Sequence, residues 1–134
     1  MGYAISSFDE LGSGSGFRKV RKALGVTAFG VNFLVFPAGY EGPRHYHDTQ
    51  DELYLVHRGT AVFELDGEEH VVGEGGVVHV ESTTPRRVSN RGDSDLVLYV
   101  VGGKGGYVER DGHLTDDSEL EKRQALARGE AEPA

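Results

Sequence analysis

The sequence predicts an all-β domain, on three observations. Short apolar runs recur at intervals of about eight to twelve residues, separated by turn residues, which is the spacing of a sandwich or barrel. Glycine supplies 20 of the 134 residues, about twice its usual share, and punctuates those runs instead of forming one long linker. The dipeptide Asp66-Gly67 stands between two β-prone runs, 60–65 and 68–72, and is the strongest hairpin signal in the chain.

Taken in order, residues 1–16 read as an N-terminal arm. Residues 6–11 have the composition of one helical turn with a serine cap. Gly12-Ser13-Gly14-Ser15-Gly16 reads as a flexible hinge. The β domain is expected over 17–110. It starts with a basic edge strand at 17–24, whose lysines and arginines discourage sheet-to-sheet pairing. A strand at 28–36 is stopped by Pro37 and Gly39. A histidine strand, a strand opening at Glu52, and the 60–72 hairpin follow. After a turn at 73–76 come strands at 77–80 and 86–89 and a last strong strand at 95–102. Its segment 96–101 is apolar on both faces, whereas a strand buried on one side alternates. Either both faces are covered within the domain or one meets a second subunit, so a homodimer is expected. The remainder, 111–134, divides into a short helix at 120–128 and a disordered tail at 130–134. The helix has acidic residues at its start and Arg128-Gly129 at its end, in keeping with the dipole and C-cap rules.

Composition narrows the function. The net charge of −8 is opposite to a nucleic-acid footprint, so no such partner is expected. No apolar run approaches the ~18 residues of a membrane span. Residues 1–5 lack the charged and apolar regions of a secretory signal. Met1-Gly2 with Ser6 is too weak a lipidation signal to use. Cysteine is absent, which excludes disulfides and thiolate ligands. The expected location is the cytoplasm.

The chemistry is concentrated in residues 39–59, GYEGPRHYHDTQDELYLVHRG. His45 and His47 are two apart, so an extended strand points both to one face. A turn through Asp48-Thr49-Gln50-Asp51 lets the run that begins at Glu52 fold back beside them. Two neutral imidazoles and one carboxylate are the ligand set of a facial triad, which suits Fe(II), Mn, Ni or Zn and leaves coordination positions open. By alternation Tyr54 shares the face of Glu52. It is therefore a candidate ligand-binding residue, or equally a half-buried core tyrosine.

Gly39, His45, His47, Glu52 and Gly59 satisfy G-x5-H-x-H-x4-E-x6-G at every position. In this the chain resembles a small single-domain cupin, with the likeness running over roughly residues 17–103. The resemblance implies a double-stranded β-helix, or jelly-roll barrel, here followed by a short C-terminal helix. It also implies a divalent metal held by His45, His47 and Glu52, a small-molecule ligand, and commonly a dimer.

The family's second motif, G-x5-P-x-G-x2-H-x3-N, falls on Gly75, Glu81, Thr83, Arg86 and Asn90. Only the outer glycine and the asparagine match. Arg86 stands where the fourth metal ligand would be; alternation puts it on one face with Val88, and the match to that ligand position implies an inward guanidinium. Two unit charges ~4 Å apart at an effective dielectric near 20 interact by about 4 kcal/mol, and a divalent ion about doubles that. Three arrangements follow. Arg86 pairs with Glu52 and leaves the site metal-free, or it clamps an anionic ligand beside the metal, or it turns to the surface. His79 is a substitute fourth ligand only if its face is inward. His57, His70 and His113 read as surface residues.

Two functions fit these residues. One is a metal-dependent enzyme acting on a small, anionic molecule, such as an oxygenase or isomerase, with Arg86 and Tyr54 as ligand-binding residues. The other is a non-catalytic, metal-free binding cupin in which Arg86 pairs with Glu52.

Overall fold

A computed structural model describes residues 2–133. Met1 and Ala134, the outer ends of the predicted arm and tail, lie outside the described residues. The strands are β1 (Gly16–Arg18), β2 (Gly30–Phe36), β3 (His45–His47), β4 (Asp51–Arg58), β5 (Ala61–Leu65), β6 (Glu68–Val72), β7 (Val77–Val80), β8 (Arg86–Ser89), β9 (Leu96–Gly103) and β10 (Gly112–Leu114). Two helices accompany them, α1 (Val20–Leu24) and α2 (Leu120–Arg128), with a 3-10 turn at Asp117–Glu119 leading into α2. The strands form two antiparallel five-stranded sheets, ordered β1-β2-β9-β4-β7 and β10-β3-β8-β5-β6. This is the jelly roll expected.

Strand alternation fills the space between the sheets. Leu34 and Phe36 of β2, Tyr54 and Val56 of β4, Phe63 of β5, Val88 of β8 and Leu96 and Leu98 of β9 form one buried cluster. The hairpin forms as the sequence predicts: Asp66 and Gly67 lie at φ 52° and 85°, the two positive values of a type I′ turn, and β5 pairs with β6 across them. Gly59, at the end of β4, has φ 87°, and a Cβ there would stand 2.9 Å from the Asp95 carbonyl oxygen. Both the conformation and the space call for glycine.

Four expectations change. The edge strand predicted at 17–24 is β1 followed by α1, and Gly25 ends that helix in the left-handed region at φ 70°. Basic residues mixed with apolar ones fit one helical turn as well as an edge strand, and the glycine cap decides. The supposed hinge is packed. A Cβ on Gly14 would meet the Gly129 carbonyl oxygen at 2.4 Å, and one on Gly16 the Leu126 carbonyl oxygen at 2.5 Å. These glycines bring the arm against the backbone of α2.

Of the tail expected at 130–134, residues 130 and 131 lie against the arm. Glu130 bridges to Ser15, and the buried Ala131 donates its N–H to the Ser15 carbonyl. Finally, the outer face of β9 is covered within the chain. Val97 is buried, the Tyr99 ring packs on Phe33, and Phe8 of the arm stands edge-on to Phe33. No second subunit is needed to explain the apolar run at 96–101.

Other elements follow their signals. Ser7 caps the turn at 8–11, its hydroxyl accepting from the Glu10 N–H and donating to the Glu10 carboxylate. The Asp116 side chain accepts from the Ser118 N–H ahead of α2. Gly129 closes α2 at φ 76°. Leu126, the buried residue of α2, joins the core cluster. No helix among the described residues is long and apolar enough to cross a membrane.

Candidate metal centre

The two histidines and the glutamate approach from opposite sheets. β3 carries His45 and His47 between β8 and β10, while β4 carries Glu52 between β9 and β7. The turn at 48–50 thus passes the chain across the barrel, and Glu52 faces the imidazoles instead of lying beside them. That turn is built on Asp111, whose carboxylate accepts from the N–H groups of Thr49 (2.9 Å) and Gln50 (2.7 Å). Burial pushes the Asp111 carboxyl up, but the Gln50 and Thr49 amides outweigh it and hold it below the usual carboxylate range.

His45, His47 and Glu52 each offer one ligand atom, and these lie within 4.8 Å of one another. The His47 Nε2 is 3.3 Å and the His45 Nε2 3.8 Å from Glu52 Oε1. His45 Nδ1 is 3.2 Å from the Pro43 carbonyl oxygen. A carbonyl only accepts, so Nδ1 carries a proton, which leaves Nε2 directed to the centre. His47 Nδ1 is 2.9 Å from the Gln50 amide. An amide can present either its oxygen or its nitrogen, so either tautomer of His47 is served. The His47 Nε2 is buried and has no hydrogen-bond partner. A buried polar atom left unmatched costs free energy, and a cation at this centre would satisfy it. The donor set and this orphaned nitrogen fit a divalent metal.

Arg86 occupies the position of the missing fourth ligand and is fully buried, at 0% exposure. Its Nη1 donates to Glu52 Oε1 at 2.6 Å. Its Nε and Nη2 donate to the carbonyls of Glu81, Ser82 and Thr84 at 2.8–3.0 Å. Of the three arrangements expected, this is the pairing with Glu52; the surface arrangement is overturned. The Tyr54 hydroxyl donates to the same Oε1 at 2.7 Å. Burial pushes the Glu52 carboxyl up, yet the His45 and His47 imidazoles outweigh it and hold it well below the usual range. Burial and the Glu52 charge push the Tyr54 phenol well above its ordinary value. Among the described residues Glu52 Oε2 takes no hydrogen bond, while Oε1, the oxygen nearest both imidazoles, is held by Arg86 and Tyr54.

A cleft of about 540 Å³ opens over the centre, floored by His45, His47 and Glu52. Neither Arg86 nor Tyr54 lines it; Tyr54 lines a separate small void of about 70 Å³ beneath the site. His79 pairs with Leu53 on the outer face of the sheet and is exposed, so it does not reach the centre. His113 contacts Asp48 at 2.6 Å outside the barrel, and His57 and His70 are also exposed or partly exposed.

Sequence reasoning passed over Asp111 and Gln50. Gln50 lies between His47 and Glu52 and was open to notice as a short amide at the turn. Asp111 acts from about 60 residues away, and no local pattern marks it.

Comparison with known proteins agrees with this fold. A family model described as "Cupin domain" matches residues 32–116. In sequence, 64 residues are 29% identical to an uncharacterised protein of Methanocaldococcus jannaschii, covering 48% of this chain and 51% of that one. The chain thus spans about half the length of this curated relative. Among solved structures, a cupin protein from Bacteroides fragilis superposes with a TM-score of 0.68 at 22% identity, covering 81% of this chain and 90% of that one. A sugar phosphate isomerase from a cupin superfamily, from Silicibacter pomeroyi, superposes with a TM-score of 0.63 at 24% identity over 76% of both chains. At these identities the structural likeness is one of fold.

Proposed function

Since the chain belongs to the cupin family, whose model matches residues 32–116, we propose that it holds a divalent metal through His45, His47 and Glu52 and binds a small organic molecule in the adjoining cleft. The observation that carries this is the buried, unpartnered Nε2 of His47, which faces a carboxylate and a second imidazole. Fe, Mn, Ni and Zn all suit this donor set. Bound there, such an ion supplies Lewis acidity and open coordination positions, so isomerisation and oxygenation are the reactions to assay.

This chain's own residues do the positioning. The Pro43 carbonyl orients the His45 ring, and the Gln50 amide orients that of His47. Arg86 and Tyr54 grip Oε1 of Glu52, the oxygen nearest the two imidazoles, and so fix the carboxylate beside them. In this reading Arg86 acts by holding a metal ligand, as second partners of ligating carboxylates commonly do. The apolar β-barrel core behind Tyr54 keeps water from that side.

The Glu52–Arg86 contact of 2.6 Å favours a second reading, a metal-free binding protein in which the guanidinium alone neutralises Glu52. Metal analysis of protein purified without an affinity tag separates the two. About one equivalent of Fe, Mn, Ni or Zn, lost in His47→Ala, is expected; metal-free wild-type protein that takes up none of these ions supports the second reading. The homodimer rests on the family resemblance and is read by light scattering.

A further inference from the structure

The charge around the cleft is out of keeping with the rest of the molecule. The protein carries a net charge of −8, yet the cleft is lined by two arginines, Arg110 and Arg123, against two carboxylates, Glu52 and Asp111. Both carboxylates are committed, Glu52 to Arg86 and Tyr54 and Asp111 to the Thr49 and Gln50 amides. Among the described residues the arginines of the cleft are not in ion pairs, a state they share with Arg18, Arg21 and Arg58, whereas Arg44, Arg86, Arg87, Arg91 and Arg128 are paired.

Arg110 has a second peculiarity. Its φ is 51°, and among the described non-glycine residues only Asp66 of the hairpin turn shares such a value. Side chains avoid this region at a cost of about 1–3 kcal/mol, and residues held there concentrate at ligand-binding positions. The next residue, Asp111, is pinned by the 48–50 turn, so the strain is held where Arg110 enters the cleft wall. Arg123 comes from a different element. It shares the cleft-lining face of α2 with Leu126 and Ala127, three and four residues on.

We propose that Arg110 and Arg123 make this cleft selective for a small organic anion, one bearing a carboxylate or a phosphate. The inference rests on the cleft being the ligand chamber of the proposed metal centre, and it moves the anion-reading role from the walled-off Arg86 to two arginines that line the cleft. Guanidinium groups suit planar carboxylates and phosphates alike through paired N–H donors. A loaded centre would add to the same field: two metal charges and Arg86 against Glu52 and Asp111 leave about one positive charge beside the ligand. The cleft volume of about 540 Å³ is in the range of small-molecule sites.

Calorimetric titration of manganese-loaded protein tests this with matched probes: succinate against succinamide, and glycerol 3-phosphate against glycerol. At least one anion should bind tenfold or more tightly than its neutral counterpart, and which anion does so separates carboxylate from phosphate. The double variant Arg110→Gln/Arg123→Gln should lose about tenfold or more for that anion, keep its melting temperature and take up the same manganese. Equal binding of charged and neutral probes, no binding of either anion at millimolar concentration, or unchanged affinity in the double variant would overturn the proposal. Manganese content of the same samples keeps the two readings apart. Metal uptake without anion selectivity sinks this inference alone, and arginine-dependent anion binding by protein that takes up no metal sinks the metal centre alone.

Discussion

Residues 39–59 and 75–90 share a plan and differ in what occupies its polar positions. In both, the framework residues answer to the backbone. Gly39, Gly59 and Gly75 all lie at positive φ, 78°, 87° and 82°. Asn90 is buried and donates to the carbonyls of Phe36 and Ser94. In the first stretch the remaining polar residues are ligand donors aimed at one point. In the second, the ligand position holds a guanidinium that binds one of those donors and ties down the 81–84 carbonyls. Glycine and asparagine persist where the chain must turn, whereas a side chain in the barrel centre is exchangeable if its charge is matched.

If this contrast is sound, losses on the two sides should differ in kind. Glu52→Ala leaves Arg86 buried and uncompensated, which should cost about 3–5 kcal/mol in urea unfolding, while His45→Ala should abolish metal uptake at far smaller cost. Equal costs would remove the distinction. The pH profile sharpens it. The folded-state pKa of Glu52 is well below its unfolded value, so its stabilisation is complete above the ordinary glutamate range and is lost as pH falls through the folded value. The Glu52→Ala variant should have the flatter acid limb.

Arg86→His is the next largest effect. It supplies a third imidazole, and so a fourth donor, and removes a cation from beside the centre. Zinc affinity, read by competition with a chelator, should rise about tenfold or more, while the metal-free protein loses stability because the 81–84 carbonyls lose their donor. No gain in affinity would mean that position 86 is beyond reach of the ion. The smallest effect is Tyr54→Phe, which removes one hydrogen bond to a Glu52 oxygen that Arg86 still holds. About 1–2 kcal/mol of stability should go, with metal stoichiometry unchanged.

Much of this was legible in the sequence because it is local. The spacing of His45, His47 and Glu52, the Asp66-Gly67 hairpin and the Gly129 cap each depend on a few neighbouring residues. The inward face of Arg86 followed from its match to the fourth-ligand position, but its partners did not, since pairing with Glu52 or with a ligand satisfies the same match. What escaped was set by distance or ambiguity. Asp111 reaches the 48–50 turn across the fold, and Arg110 and Arg123 meet in one cleft only once α2 has docked. Gly14 and Gly16 could be read as flexible or as room for another backbone, and composition alone does not choose. Residues 20–24 are too few for periodicity to separate strand from helix.

The close approach of Gly14 and Gly16 to Gly129 and Leu126 has a consequence for the mouth of the cleft. Arg123, Leu126 and Ala127 sit on a helix that is clasped to the opposite terminal segment, so the rim facing the ligand cannot swing open by itself. Widening the entrance on the α2 side means unfastening both terminal segments together, a concerted event and not the flap of a single helix.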